Sequence, residues 1–189
     1  MKQIKFVYGL CITVCILIGF SVNQASGAEA IVCGIKLPEF TLDVSDSAKT
    51  RQYLGFKDIK NCNLSQIPAK LVIIELYSLY CTVCQKQAPK ANKIYKCIQQ
   101  DPDLSMDIKM IGIGIGNNQK EVIAYKMQFR VPFPLFIDPK FEIHKKFGEP
   151  RTPYTILASN SGKVLYTCYG EIKDIDDFLS QIRKFYKQQ

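Results

Sequence analysis

Leu71-Val72-Ile73-Ile74-Glu75-Leu76-Tyr77 is an apolar run interrupted by a single acid. Its length and β-branched content predict a strand buried on both faces, because a half-buried strand would alternate apolar and polar positions. From Cys81–Cys84 to about Gln100 the period lengthens. Ala88, Ala91, Ile94, Tyr95 and Ile98 recur at i, i+3, i+4 spacing, the inner face of a helix that Asp101-Pro102 ends. Met110–Ile115 reads as a second buried strand, and Asn117-Asn118 opens a helix reaching about Phe129. Phe133–Ile137 follows as a short strand, and Phe141–Phe147 as a short helix closed by Gly148. Tyr154–Ala158 and Lys163–Tyr169 are strands joined by an Asn160-Ser161-Gly162 turn. Asp174–Tyr186 is a terminal amphipathic helix with Ile175, Phe178, Leu179, Ile182 and Phe185 facing in. Residues 31–69 look irregular, apart from a short strand at Leu37–Leu42 and a helical turn at Asn63–Ile67 that Pro68 stops. Strands alternating with helices predict an α/β domain: a largely parallel sheet covered on both sides, with the closing hairpin as an antiparallel edge.

The first residues follow a different pattern. Lys2 and Lys5 precede an uncharged, mostly apolar run from Phe6 to Val22, and small residues follow at Ala25, Ser26, Gly27 and Ala28. This is the pattern of a signal peptide over residues 1–27, or of an uncleaved membrane anchor, ahead of one domain at 28–189. Cys11 and Cys15 read as apolar filler within it. Either way the folded part is expected outside the cytoplasm, periplasmic or otherwise exported. Composition agrees with a packed domain: 47% of the 189 residues are hydrophobic and 22% charged. The net charge is +8, and subtracting the two N-terminal lysines leaves +6 spread along the chain. No basic run interleaves with aromatics, so nucleic-acid binding is not expected. Export permits disulfides, and six cysteines remain after residue 27: Cys33, Cys62, Cys81, Cys84, Cys97 and Cys168.

Cys81-Thr82-Val83-Cys84 carries the chemistry. It sits between the buried strand and a helix, where two thiols in one turn can close a small ring without moving the backbone. The helix N-terminus favours an anion there, which predicts Cys81 as the nucleophilic thiolate and Cys84 as the thiol that resolves its mixed disulfide. Structural zinc needs two further ligands, and the chain has one histidine, His144, and no second such pair. Covalent haem needs His after the second cysteine, where Gln85 stands. No metal or cofactor is expected. Glu75, an acid inside an apolar strand, is expected to have a raised pKa and to relay the proton of Cys84, unless it points to an edge or pairs with a lysine. Pro89 is expected to kink the active-site helix. Thr152-Pro153 opens a strand, where proline is tolerated. A cis bond there would turn the Thr152 backbone towards the cysteines, for a substrate strand to pair with. His144 reads as a surface or capping residue. The glycines of Gly112-Ile113-Gly114-Ile115-Gly116 read as space for close packing, since they lack dinucleotide spacing.

Tyr80-Cys81-Thr82-Val83-Cys84, with Glu75 before it and Pro89 after it, resembles the active-site segment of the thioredoxin superfamily. Thr152-Pro153 with Ser161-Gly162-Lys163 and Gly170 resembles its cis-proline region. The lead-in Leu37–Leu42 and the extra helix and strand between Gly116 and Asp138 are similar to the exported TlpA- or ResA-like redoxin branch. The resemblance covers about residues 36–187. It implies a thioredoxin-like fold, with an N-terminal extension and a central helix-strand insertion on a mixed sheet. It also implies a thiol-disulfide oxidoreductase that reduces disulfides of exported proteins, commonly apocytochromes c, with a membrane thiol protein as electron donor. It further suggests a Cys33–Cys168 disulfide; from the residues themselves Cys97 reads as a packed helix residue and Cys62 as free, and the alternative for all four is a buried apolar thiol. Tyr80 stands where thioredoxins usually carry Trp, and Thr82-Val83 lacks the usual proline, which leaves the direction of electron flow open. A peroxidase and a redox-inactive binding or chaperone module are the rival functions. A peroxidatic cysteine at Cys81 would want a proline where Ile74 lies and a Thr or Ser at Ser78, and only the latter is met. No dimerisation segment is evident before residue 36, so a monomer is expected.

Overall fold

Burial of all seven residues of β3 (Leu71–Tyr77) puts this strand at the centre of the molecule. The computed structural model describes residues 31–189, so the expected signal or anchor segment lies outside the described residues. β3 pairs in parallel with β4 (Ile108–Ile115), and β4 with β5 (Leu135–Asp138). On its other side β3 pairs antiparallel with β6 (Tyr154–Ser159), and β6 with β7 (Val164–Tyr169). The order β5-β4-β3-β6-β7 is a mixed sheet. The closing hairpin therefore supplies an inner strand as well as the antiparallel edge that the sequence suggested.

Two helices cover the face of the sheet that holds the cysteine pair. α2 (Thr82–Gln100) buries Cys84, Gln87, Ala88, Ala91, Ile94 and Ile98, and α6 (Ile175–Tyr186) buries Phe178 and Ile182. Asp101 ends α2 and its carboxylate caps the next short helix, α3 (Pro102–Ser105), by accepting from Asp103 N and Leu104 N. α2 continues through Pro89, which is exposed inside it. The opposite face is covered by the N-terminal segment and by α5 (Glu142–Lys146), with Leu37, Phe40, Leu42, Leu54, Ile67 and Phe147 in the core. α4 (Gln119–Gln128) links β4 to β5 and forms the central insertion.

Two expectations are corrected here. The Leu37–Leu42 strand is realised only as β1 (Thr41–Asp43), paired antiparallel with β2 (Asn61–Asn63). Pro38 has no N–H for a ladder, and upstream only Lys36 bridges to Lys163. Residues 31–69 also hold α1 (Ala48–Tyr53), whose N-cap Ser47 accepts from Thr50 N at 3.1 Å. Cys33 and Cys168, like the other described cysteines, are free thiols in this structure. The chain turns at Gly34 (φ 94°), whose N–H donates to Val164 O.

Candidate active site

The Cys81–Cys84 pair sits where β3 gives way to α2, at the carboxyl end of the central strands. Cys81 is the N-cap of α2, with extended backbone. Its Sγ accepts from Cys84 N at 3.1 Å, so a backbone donor of the first helical turn points at this sulfur. A developing negative charge on Cys81 would meet that donor and the positive end of a 19-residue helix. Cys81 is half-buried and Cys84 fully buried, so a second molecule reaches the first sulfur only. Burial pushes the Cys84 thiol up to about 12, and its neighbour Cys81 adds to this, while Ser78 and Thr152 pull the other way.

The Thr152–Pro153 bond is cis, and Thr152 O lies 3.5 Å from Cys81 Sγ. Opposite them, the loop after β7 is held in place from two sides. Gly170 N donates to Pro153 O at 2.9 Å. From α2, Gln87 Oε1 accepts from Ile172 N at 2.9 Å, and Lys90 Nζ donates to Ile172 O at 2.7 Å while pairing with Glu171 at 3.0 Å. The helix that carries the cysteines thus also fixes the loop that faces them.

Glu75 points from the middle of β3 to the same side of the sheet. It is 4% exposed and pairs with no lysine among the described residues; Thr155 Oγ1 donates to its Oε2 at 2.7 Å. Burial raises its carboxyl to about 7, against Thr155 and Gln87, which hold it down. Gln87 Nε2 faces this carboxyl from just outside hydrogen-bond geometry. A void of about 10 Å³ lies against Glu75, Ala88 and Tyr125. Ala88 is one helical turn beyond Cys84, so the acid sits one turn beneath the resolving thiol.

The insertion supplies residues that the sequence did not single out. Asn117 Oδ1 accepts from Leu79 N at 2.9 Å. Glu121 Oε1 accepts the Tyr80 hydroxyl, and its Oε2 accepts from Asn118 N at 2.8 Å, completing a capping box. Tyr125 donates to Cys84 O at 3.0 Å and stacks on Tyr77 at 4.2 Å. Gly112 and Gly114 make room for Tyr77: a Cβ on either would lie 3.2 Å from that ring or its hydroxyl. The only advance signals were the Asn-Asn-x-x-Glu cap and the four-residue spacing of Asn117, Glu121 and Tyr125.

The other singled-out residues make no hydrogen bond to the redox pair, although His144 lines the groove that runs past Thr152. His144 Nε2 is 2.9 Å from Pro150 O, and its backbone N–H, with those of Glu142 and Ile143, is accepted by the buried Asp138 carboxylate. Cys62 is buried and its thiol is raised to about 11 by burial, which makes it inert packing. Cys97 is half-buried on α2. Cys168 is half-buried, opposite Thr155 in the register, and its thiol is raised by burial and then by Glu75.

Residues 33–167 match the AhpC/TSA family. Among curated proteins, the chain is 22% identical over 178 residues to thiol-disulfide oxidoreductase ResA of Bacillus subtilis, covering 92% of this chain and 89% of that one. Among solved structures, it superposes with a TM-score of 0.61 on the thioredoxin domain of a thiol-disulfide oxidoreductase from Bacteroides vulgatus, at 15% identity over 83% of this chain and 99% of that one. A secreted disulfide oxidoreductase of Mycobacterium tuberculosis gives 0.57, at 12% identity over 77% and 95% of the two chains. These likenesses show a thioredoxin fold.

Proposed function

Because the chain belongs to the AhpC/TSA family, we propose from its site that it is a thiol-disulfide oxidoreductase that reduces cystines of exported proteins. The observation that carries this reading is the placement of Cys81: a reachable sulfur on a helix N-terminus, beside Thr152 O, with a buried thiol directly behind it. The ResA relative is likewise named a thiol-disulfide oxidoreductase.

The Cys81 thiolate attacks one sulfur of the client cystine. A Cys81–client bond forms as the client S–S bond breaks, and the released client thiolate takes up a proton. Cys84 then yields its proton to the Glu75 carboxylate and attacks Cys81 Sγ. The mixed disulfide breaks, and the second client thiolate leaves and is protonated. The client gains two electrons. The protein is left with a Cys81–Cys84 disulfide, which an external dithiol, a membrane thiol protein, reduces again. The high pKa of Cys84 keeps it protonated until the mixed disulfide forms, and a carboxyl near 7 is a usable base at neutral pH.

The protein is taken to act outside the cytoplasm as a monomer, with residues 1–27 as signal peptide or anchor and apocytochromes c as clients. Lys2, Lys5 and the apolar run Phe6–Val22 support export, and so does the fold's likeness to a secreted oxidoreductase. Among the described residues, no helix is long and apolar enough to cross a membrane.

Insulin reduction with dithiothreitol as donor tests the activity. Acceleration of precipitation that Cys81→Ser abolishes supports it. Acceleration that survives Cys81→Ser overturns it, as would peroxide consumption exceeding insulin reduction at equal thiol donor.

A further inference from the structure

Glu121 and Tyr125 lie four residues apart on one side of α4, and Asn117 stands immediately before its N-cap Asn118, so the three form a row along the start of the insertion. They meet three successive points of the redox segment: Leu79 N, the Tyr80 hydroxyl and Cys84 O. Asn117 is 0% exposed and Tyr125 is buried, so both ends of the row are fixed in the core. Tyr80 differs from its neighbours. Its ring is 71% exposed, yet its hydroxyl is held by Glu121, and the residue before it is pinned through its backbone N–H.

An exposed tyrosine normally samples several rotamers, and docking a partner against it costs the entropy of ordering it. Tyr80 is ordered beforehand. Its ring forms one wall of a groove of about 550 Å³ that also takes in Thr152, Phe141 and Tyr169. That groove is continuous with the Cys81–Thr152 site, and Tyr169 and Phe141 are themselves 62% and 43% exposed. An aromatic rim of this kind fits the polypeptide on either side of a cystine, because rings bury large apolar area with few torsions to freeze.

We propose that Glu121 is a positioning residue: by holding the Tyr80 hydroxyl it pre-orders that ring as a platform for the polypeptide flanking the client's disulfide. The inference rests on the exchange reading above, and it gives the insertion a function. α4 tunes how tightly a protein client docks, while the cysteines and Glu75 carry the exchange itself.

The test is insulin reduction by the full domain over a range of insulin concentrations, with dithiothreitol as donor, for wild type, Tyr80→Phe, Glu121→Ala, Glu121→Gln and the Tyr80→Phe/Glu121→Ala double variant. Freezing one rotamer-rich side chain at an interface corresponds to roughly three- to ten-fold in binding. Tyr80→Phe and Glu121→Ala are expected to raise KM for insulin by about that factor, with kcat changed less than two-fold. Glu121→Gln is expected to restore KM, since its amide can serve both Asn118 N and the phenol. The double variant is expected to be no worse than either single one, because both break one interaction. Tyr80→Phe leaves the capping box untouched, so it reports the latch even if Glu121→Ala loosens α4. An unchanged KM in Tyr80→Phe, a kcat that falls with it, or additive losses in the double variant would overturn the proposal. Wild type that fails to reduce insulin would instead overturn the exchange reading.

Discussion

The two faces of β3 differ in a way that separates stability from chemistry. Val72, Ile74 and Leu76 enter a layer of aliphatic and aromatic side chains with Cys62, and the carboxylate of Asp138 buried at its edge is satisfied by the first N–H groups of α5. Leu71, Ile73 and Tyr77 share the opposite layer with Cys84 and Tyr125, and it is on this face that Glu75, Thr155 and Gln87 are buried. Alternate residues of one seven-residue strand thus serve a dry core and a polar one. Buried polar groups cost free energy unless they are paired, and here several are incompletely paired: Gln87 Nε2 and the Tyr77 hydroxyl have no partner. The dry face offsets what the redox face gives up.

The comparison breaks most visibly on the dry side. Ile74→Ala, which removes a fully buried side chain, is expected to lower unfolding free energy by about 2–5 kcal/mol. The insulin rate per folded molecule should stay within two-fold, as read from denaturant unfolding alongside the assay. A loss of rate larger than the loss of folded protein would show that the two faces are not separable.

On the redox side, Glu75 gives the opposite sign. Its folded carboxyl is raised to about 7 from an ordinary value near 4.3, so between those values the folded state binds more proton than the unfolded one. The contribution of Glu75 to stability is then fully present below about pH 4, is lost as pH rises to about 7, and is flat above, with a total on the order of 3 kcal/mol. Glu75→Gln keeps an acceptor for Thr155 and cannot ionise. It is expected to flatten that slope and to stabilise the protein above pH 7 by a similar amount, while slowing release of the mixed disulfide. Unfolding curves at pH 5 and pH 8 check the sign: a variant less stable than wild type at pH 8 would refute the buried-acid account.

A smaller effect sharpens the picture. Tyr125→Phe removes the hydrogen bond to Cys84 O but keeps the stack on Tyr77. It is expected to cost about 1 kcal/mol, since that carbonyl stays within the helix. Denaturant midpoints would detect it.

Much of this division is visible in the sequence. The unbroken run Leu71–Tyr77 marks a strand covered on both sides, and its single acid marks the face that works. Ala88, Ala91, Ile94 and Ile98 mark the side of α2 that packs, and Cys81-Thr82-Val83-Cys84 sits at its start. What stays hidden depends on partners distant in the chain. α1 has six residues, too few to announce itself by periodicity, and β1 and β2 are strands only because each supplies the other's ladder. α3 is concealed because Asp101 ends one helix and caps the next. Glu121 and Tyr125 are readable as one side of α4, with Asn117 just before its cap, but nothing local says that they meet the redox loop.

The central claim is that Cys81 alone makes the covalent link to a client, with Cys84 as the group that breaks it. Incubating Cys84→Ser with oxidised insulin and mapping the adduct by mass spectrometry tests this directly. The account predicts a stable mixed disulfide at Cys81. No adduct, or an adduct at Cys33, Cys62, Cys97 or Cys168 with Cys81 unmodified, would contradict it.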